Sequence, residues 1–259
     1  MRSREANILD TSIPMNQRRY TVSTHTILSR RDFLRVGGLV VLSATTAACA
    51  PASATEPTVQ SEGPASNADE ALQRLVDGNK RYSANKSINL NETESRRVEV
   101  AAGQKPFATI FSCIDSRVPP ELIFDRGLGD LFVIRTAGQV LDSAVLGSLE
   151  FTVAEVHVPL VMVLGHENCG AVKATVETLE ANATAEADIN YLVESIRPAV
   201  EKAHGQPGDE IDNVVRANVE LMVERLKESP LLSEALEKGE LKIVGARYDL
   251  DTGVVEMIA

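Results

Sequence analysis

The stretch PFATIFSCIDSRVPPELIF, residues 106–124, carries an apolar run with no polar alternation that ends abruptly in Cys113, Asp115 and Arg117. A strand with one face in water alternates apolar and polar side chains, whereas a strand covered on both faces reads as a continuous apolar run. FATIFS (107–112) is of the second kind, and so are LFVIR (131–135), PLVMVLG (159–165) and LKIVGARYDL (241–250). Between them lie two helical patterns, SAVLGSLEFTVAEV (143–156) and CGAVKATVETLE (169–180), followed by a long helical region from about Ile189 to Lys238. An amphipathic helix is predicted over ADEALQRLVDGNKRY, with Leu72, Leu75, Val76 and Tyr82 at helical spacing. A turn at Asp251 to Gly253 predicts a terminal hairpin. Strands alternating with helices predict a single α/β domain, a mainly parallel central β-sheet flanked by helices.

Composition narrows the function. The 259 residues are 44% hydrophobic but only 4% aromatic, with no Trp, so the core must be built from Val, Leu, Ile and Ala. Net charge is −11, and residues 51–259 alone hold 19 Lys and Arg against 34 Asp and Glu, a balance of −15. An acidic body argues against nucleic acid as a partner.

The first 50 residues read as an export segment and stand apart from the fold. SRRDFLR (29–35) sets Arg30 and Arg31 ahead of an apolar run from Val36 to Ala48, and this resembles a twin-arginine signal. That run is shorter than the roughly 20 residues a membrane-spanning helix requires. Its end, TTAACAPAS, offers cleavage around Ala48 to Ala50 or lipidation at Cys49, the latter being the one membrane attachment expected of the mature chain. Met15 is an alternative start. Residues 51–67, rich in Pro, Ser, Ala, Thr and Glu, are expected to be a linker, and the folded domain to occupy residues 68–259.

In open parallel sheets, ligands bind beyond the carboxyl ends of the strands. Two such ends carry chemistry: Cys113, Asp115 and Arg117 after FATIFS, and His166 and Cys169 in VMVLGHENCGAV (161–172). Two thiolates and an imidazole suit zinc, and three protein ligands leave the fourth tetrahedral position for a water, as in catalytic sites. Zinc lowers the pKa of that water from about 15.7 toward 7. Asp115 is placed to accept a hydrogen bond from it, and Arg117, two residues on, to hold Asp115 by a bidentate contact that keeps it off the metal. The rival reading pairs Cys113 with Cys169 in a disulfide, as an oxidising compartment permits. A disulfide has no use for His166, Asp115 and Arg117. His25, His157 and His204 lack such company and receive no role.

CIDSR and HENCG together resemble the two signature motifs of the β-class carbonic anhydrases, with further similarity from Ala68 to the C-terminus. The resemblance implies zinc, one per chain, on Cys113, His166 and Cys169, with Asp115 and Arg117 as the catalytic pair. It implies reversible hydration of carbon dioxide to bicarbonate and a proton. Gln104, nine residues before Cys113, matches a glutamine that reaches the substrate pocket across a subunit interface, and amides near Gly170 are expected to polarise the substrate. A homodimer or higher even oligomer follows, and the export segment places it outside the cytoplasmic membrane. Thr136 and Gln139 stand where many members have asparagines, and the tryptophan that one subgroup uses in a non-catalytic bicarbonate site is missing. Alternatives on the same residues are carbonyl sulfide or carbon disulfide hydrolysis, or a non-catalytic exported protein that holds zinc or a disulfide.

Overall fold

A computed structural model describes residues 62–259, so the export segment and most of the linker lie outside the described residues. The elements run in the order α1 (Ala68–Ser83), α2 (Glu94–Ala101), β1 (Ala108–Cys113), α3 (Pro120–Ile123), β2 (Leu131–Thr136), a single 3-10 turn (Ala137–Gln139), α4 (Ser143–Ala154), β3 (Leu160–His166), α5 (Gly170–Glu180), α6 (Ile189–Ala203), α7 (Glu210–Lys227), α8 (Pro230–Glu237), β4 (Lys242–Tyr248) and β5 (Val255–Met257). The five strands form one sheet in the order β2-β1-β3-β4-β5. All neighbours are parallel except β4 and β5, which are antiparallel and make the expected hairpin. Among the described residues no helix is long and apolar enough to cross a membrane.

The continuous apolar runs are explained by what covers each face. β1 and β3 are buried at every position. Ile110, Met162 and Leu164 pack with Leu75 of α1 and with Ile123 and Phe124 at α3. Their neighbours Phe111, Val161 and Val163 pack on the other side with Leu149 of α4, Met222 and Leu226 of α7 and Leu232 of α8. Each large side chain so buried contributes about 1.5–3 kcal/mol. A third apolar cluster, with Val172, Ile196 and Val215, surrounds Cys113 and Cys169 at the carboxyl edge of the sheet.

The helical region expected between Ile189 and Lys238 consists of three helices. Gly205 and Gly208 adopt left-handed φ values of 76° and 106° between α6 and α7, and Ser229 caps α8 ahead of Pro230. Two helices went unforeseen. In α2 no residue is buried, so it has no apolar stripe to reveal it, and α3 is a single turn.

α1 begins where Asn67 accepts from the Glu70 amide and the Glu70 carboxylate receives the Ser66 amide at 2.8 Å, a reciprocal cap. Contacts to the body reach upstream of it: Arg74 donates to the Gly63 carbonyl, and the Glu62 carboxylate pairs with the buried Arg126 at 2.6 Å. α1 lies against the segment after α3 so closely that a Cβ on Gly78 would stand 1.8 Å from the Phe124 carbonyl oxygen. Because the obstacle is backbone, Gly78→Ala is expected to cost about 3 kcal/mol. In a domain of this size that lowers the melting temperature by about 6–12 °C. An unchanged melting temperature would show that α1 does not dock this way.

Candidate metal centre

The centre is assembled at the carboxyl ends of two neighbouring strands. Cys113 is the last residue of β1, His166 the last of β3, and Cys169 the N-cap of α5. β1 and β3 pair in parallel register through Ser112 and Leu164, so these ends arrive side by side. Asn168 takes a left-handed φ of 51°, a conformation asparagine tolerates, and this turns the chain so that the Cys169 sulfur comes back toward the His166 ring. Sγ of Cys113, Sγ of Cys169 and a ring nitrogen of His166 lie within 4.8 Å of one another, all three residues buried.

Cys113 and Cys169 are free thiols with sulfurs 4.0 Å apart. The structure therefore does not support the disulfide alternative, in which the sulfurs would be about 2.05 Å apart. Two thiolates on one tetrahedral zinc, each about 2.3 Å from it, stand about 3.8 Å from each other, close to the spacing here. The imidazole is prepared as a ligand as well. Its Nδ1 sits 2.8 Å from the Glu167 carbonyl, which can only accept, so in the neutral ring Nδ1 carries the proton and Nε2 is left with its lone pair. Nε2 is buried and has no hydrogen-bond partner, the arrangement of a histidine that binds metal through one nitrogen and is oriented through the other. The donor set fits zinc.

Electrostatics favour one sulfur anion here, at Cys113. Cys113 is held down to about 4, first by the hydrogen bond from Cys169 and then by contacts from His166 and the amides of Gly138 and Asp115. Cys169 is pushed up because it is the donor in that shared bond and because it is buried, while the Val172 and Ala171 amides oppose the rise. Without a metal one thiol keeps its proton for the other, whereas a dication relieves the conflict by binding both as thiolates. The first amides of α5 thus serve the Cys169 sulfur. The space above Gly170 is open, with no atom within 4 Å of where a Cβ would stand.

Asp115 and Arg117 form the expected pair. Arg117 donates from Nε to Oδ1 at 2.9 Å and from Nη2 to Oδ2 at 2.8 Å, and its backbone amide also reaches Oδ1 at 2.9 Å. These bonds, those of the Arg117 side chain foremost, hold the Asp115 carboxyl down at about 2. Oδ2 is 3.9 Å from His166 Nε2, so the carboxylate faces the three donors while tied back by the arginine.

Gln104 is elsewhere. It precedes β1, at the opposite end of that strand from Cys113, in a cavity with Phe107, Arg74 and Arg126. Six strand residues separate the two ends by about 20 Å, so in a single chain Gln104 is not part of this centre. A role for it requires a second copy.

Sequence reasoning passed over Arg135. From the end of β2 it donates to the Cys113 carbonyl at 2.7 Å and to the Asp115 carbonyl at 2.6 Å, stapling the segment that carries both residues. An arginine closing an otherwise apolar strand at the carboxyl edge was the available signal.

Comparison with known proteins now bears directly on these residues. A family model described as carbonic anhydrase matches residues 108–255, which include all five groups of the centre. The chain belongs to the carbonic anhydrase family. It is 41% identical over 191 residues to carbonic anhydrase 2 of Mycobacterium tuberculosis, covering 73% of this chain and 92% of that one. A Coccomyxa β-carbonic anhydrase solved with acetazolamide superposes with a TM-score of 0.56 at 28% identity, over 72% of this chain and 86% of that chain. A tetrameric β-carbonic anhydrase of Sordaria macrospora, at 19% identity, shares the fold with a TM-score of 0.59 over 73% and 96% of the two chains. The fold is that of the β-class carbonic anhydrases.

Proposed function

We propose that this carbonic anhydrase hydrates carbon dioxide reversibly to bicarbonate and a proton at the centre formed by Cys113, His166 and Cys169, with Asp115 and Arg117 as its catalytic pair. The observation that carries the reading is the buried triad of donors within 4.8 Å, faced by an arginine-restrained carboxylate 3.9 Å from His166. Zinc held by the triad would supply a Lewis acid that brings the pKa of a coordinated water from about 15.7 toward 7. The remaining work belongs to side chains. Asp115, ionised over the whole neutral range, accepts a hydrogen bond from the attacking water and so aims its lone pair at the carbon. Arg117 occupies both carboxylate oxygens and keeps Asp115 from swinging onto the metal. The apolar cluster of Val140, Val172 and Ile196 behind the donors limits water on that side, which strengthens the charges in front of it.

The same reading includes a homo-oligomer, the first 50 residues as a twin-arginine-type export signal, and action outside the cytoplasmic membrane. β2 is the sheet's unpaired parallel edge, half-buried along its whole length, and beside it Phe151 of α4 is exposed. An apolar edge of this kind is one that a second chain can cover. The tetramer known for the Sordaria protein agrees with an assembly. Such an assembly is the means by which Gln104 can meet a partner's centre.

Stopped-flow hydration on the zinc-loaded chain tests the activity. Hydration far above buffer that is lost on chelation and restored by one zinc per chain is expected. No hydration at full zinc occupancy would refute the proposal, and preferential turnover of carbonyl sulfide or carbon disulfide would redirect it.

A further inference from the structure

The geometry points to Asn218, in the middle of α7, as a positioning residue for the Cys113 ligand that acts through Gly138. The inference rests on Cys113, His166 and Cys169 being the zinc ligands. Gly138 follows β2 in the 3-10 turn, with φ 63° and ψ 26°, and its N–H donates to the Cys113 sulfur at 3.3 Å. No side chain fits there: a Cβ would stand 2.7 Å from Ile196 Cδ1 and 3.2 Å from Ala171 Cβ. Glycine meets both demands, the left-handed φ and the close packing, but it is also the residue whose flanking peptides rotate most freely.

Asn218 removes that freedom. Its Nδ2 donates to the Gly138 carbonyl at 2.8 Å, across 80 positions of sequence, and the residue is buried. The other buried residues of α7, among them Val214, Val215, Val219 and Met222, are all apolar. An amide in that row is costly unless it is hydrogen-bonded, and the bond to Gly138 answers for its presence. α7 is itself closely seated, since a Cβ on Gly165 of β3 would meet Val219 Cγ2 at 2.6 Å. Asn218 therefore projects from a fixed platform onto the carbonyl on one side of Gly138, while the amide on the other side faces the sulfur. A hydrogen bond to a thiolate ligand sets its orientation and tempers its charge, and outer partners of this kind are worth about 10–100-fold in metal affinity. Asn218 contacts neither metal nor substrate in this scheme, so it positions rather than catalyses.

The test uses Asn218→Leu and the milder Asn218→Ser in the full chain, with zinc affinity measured by competition against a chelator and the sulfur-to-metal charge-transfer band recorded after cobalt exchange. Thr109→Val is the control. It removes another buried hydrogen bond of the same sheet, Thr109 to Thr152 at 3.0 Å, outside the metal centre. Both Asn218 variants are expected to bind zinc about 10–100-fold more weakly and to shift the cobalt band. Thr109→Val should lower the melting temperature and move neither. Asn218 variants that lose thermal stability yet keep wild-type zinc affinity and cobalt spectrum would overturn the inference and leave Asn218 a packing residue. A wild-type chain that takes up neither zinc nor cobalt would instead refute the metal centre itself, and the inference with it, before any variant is compared.

Discussion

Serine in place of Cys169 is expected to strip the zinc and bring hydration down to the buffer rate. With about 10–16 kcal/mol of apparent binding free energy typical of protein zinc sites, losing one of three ligands removes on the order of 4 kcal/mol, or about a thousandfold in affinity. A serine hydroxyl is far less acidic than a thiol and does not replace it as an anionic ligand. The substitution is informative because it should spare the fold. Cys169 is the N-cap of α5, with extended φ −65° and ψ 118°, and serine is among the preferred residues at that position. Metal analysis, melting temperature and stopped-flow hydration on one preparation separate the effects. A folded Cys169→Ser chain that still carries one zinc and turns over would remove Cys169 from the ligand set.

Asp115→Asn has the opposite profile: zinc stays at one per chain while kcat/KM for hydration falls about 10²–10³-fold. The side chain keeps its shape, and its remaining oxygen can still accept from the Arg117 backbone amide and Nε, which both meet Oδ1 in the native chain. What is lost is the second acceptor. The amide group offers N–H donors where Oδ2 faced the metal centre, so the attacking water is no longer oriented by an anion. Retention of near-native hydration with full zinc would exclude Asp115 from the mechanism.

The parts of this protein that were legible in the sequence are those in which one residue type carries the whole signal. β1 and β3 announced themselves because both faces are covered, leaving no alternation of apolar with exposed polar positions in the run. Cys113, Asp115, Arg117, His166 and Cys169 stood out because they are chemically rare at strand ends. Arg135, Gly138 and Asn218 were silent as site residues because they act on backbone atoms or through them, and such partners exist only after folding. The helical region from Ile189 to Lys238 was legible because apolar spacing persists through it, whereas its division into three was not, since Gly205, Gly208 and Pro230 interrupt the backbone without breaking that spacing. Gln104 shows another limit, since its place relative to a metal centre depends on a surface that one chain does not contain.

The side chain of Asn79 ties α1 to the terminal hairpin. From α1 it donates to the carbonyls of Ile123 and Gly253 and accepts from the Val255 amide at 2.8 Å, so it is satisfied only when the terminal hairpin is in place. α1 is therefore completed by β5 and the turn that precedes it. A chain cut before Gly253 would leave this amide without two of its three partners, so the hairpin acts as a clasp on α1 rather than as an appendage of the sheet.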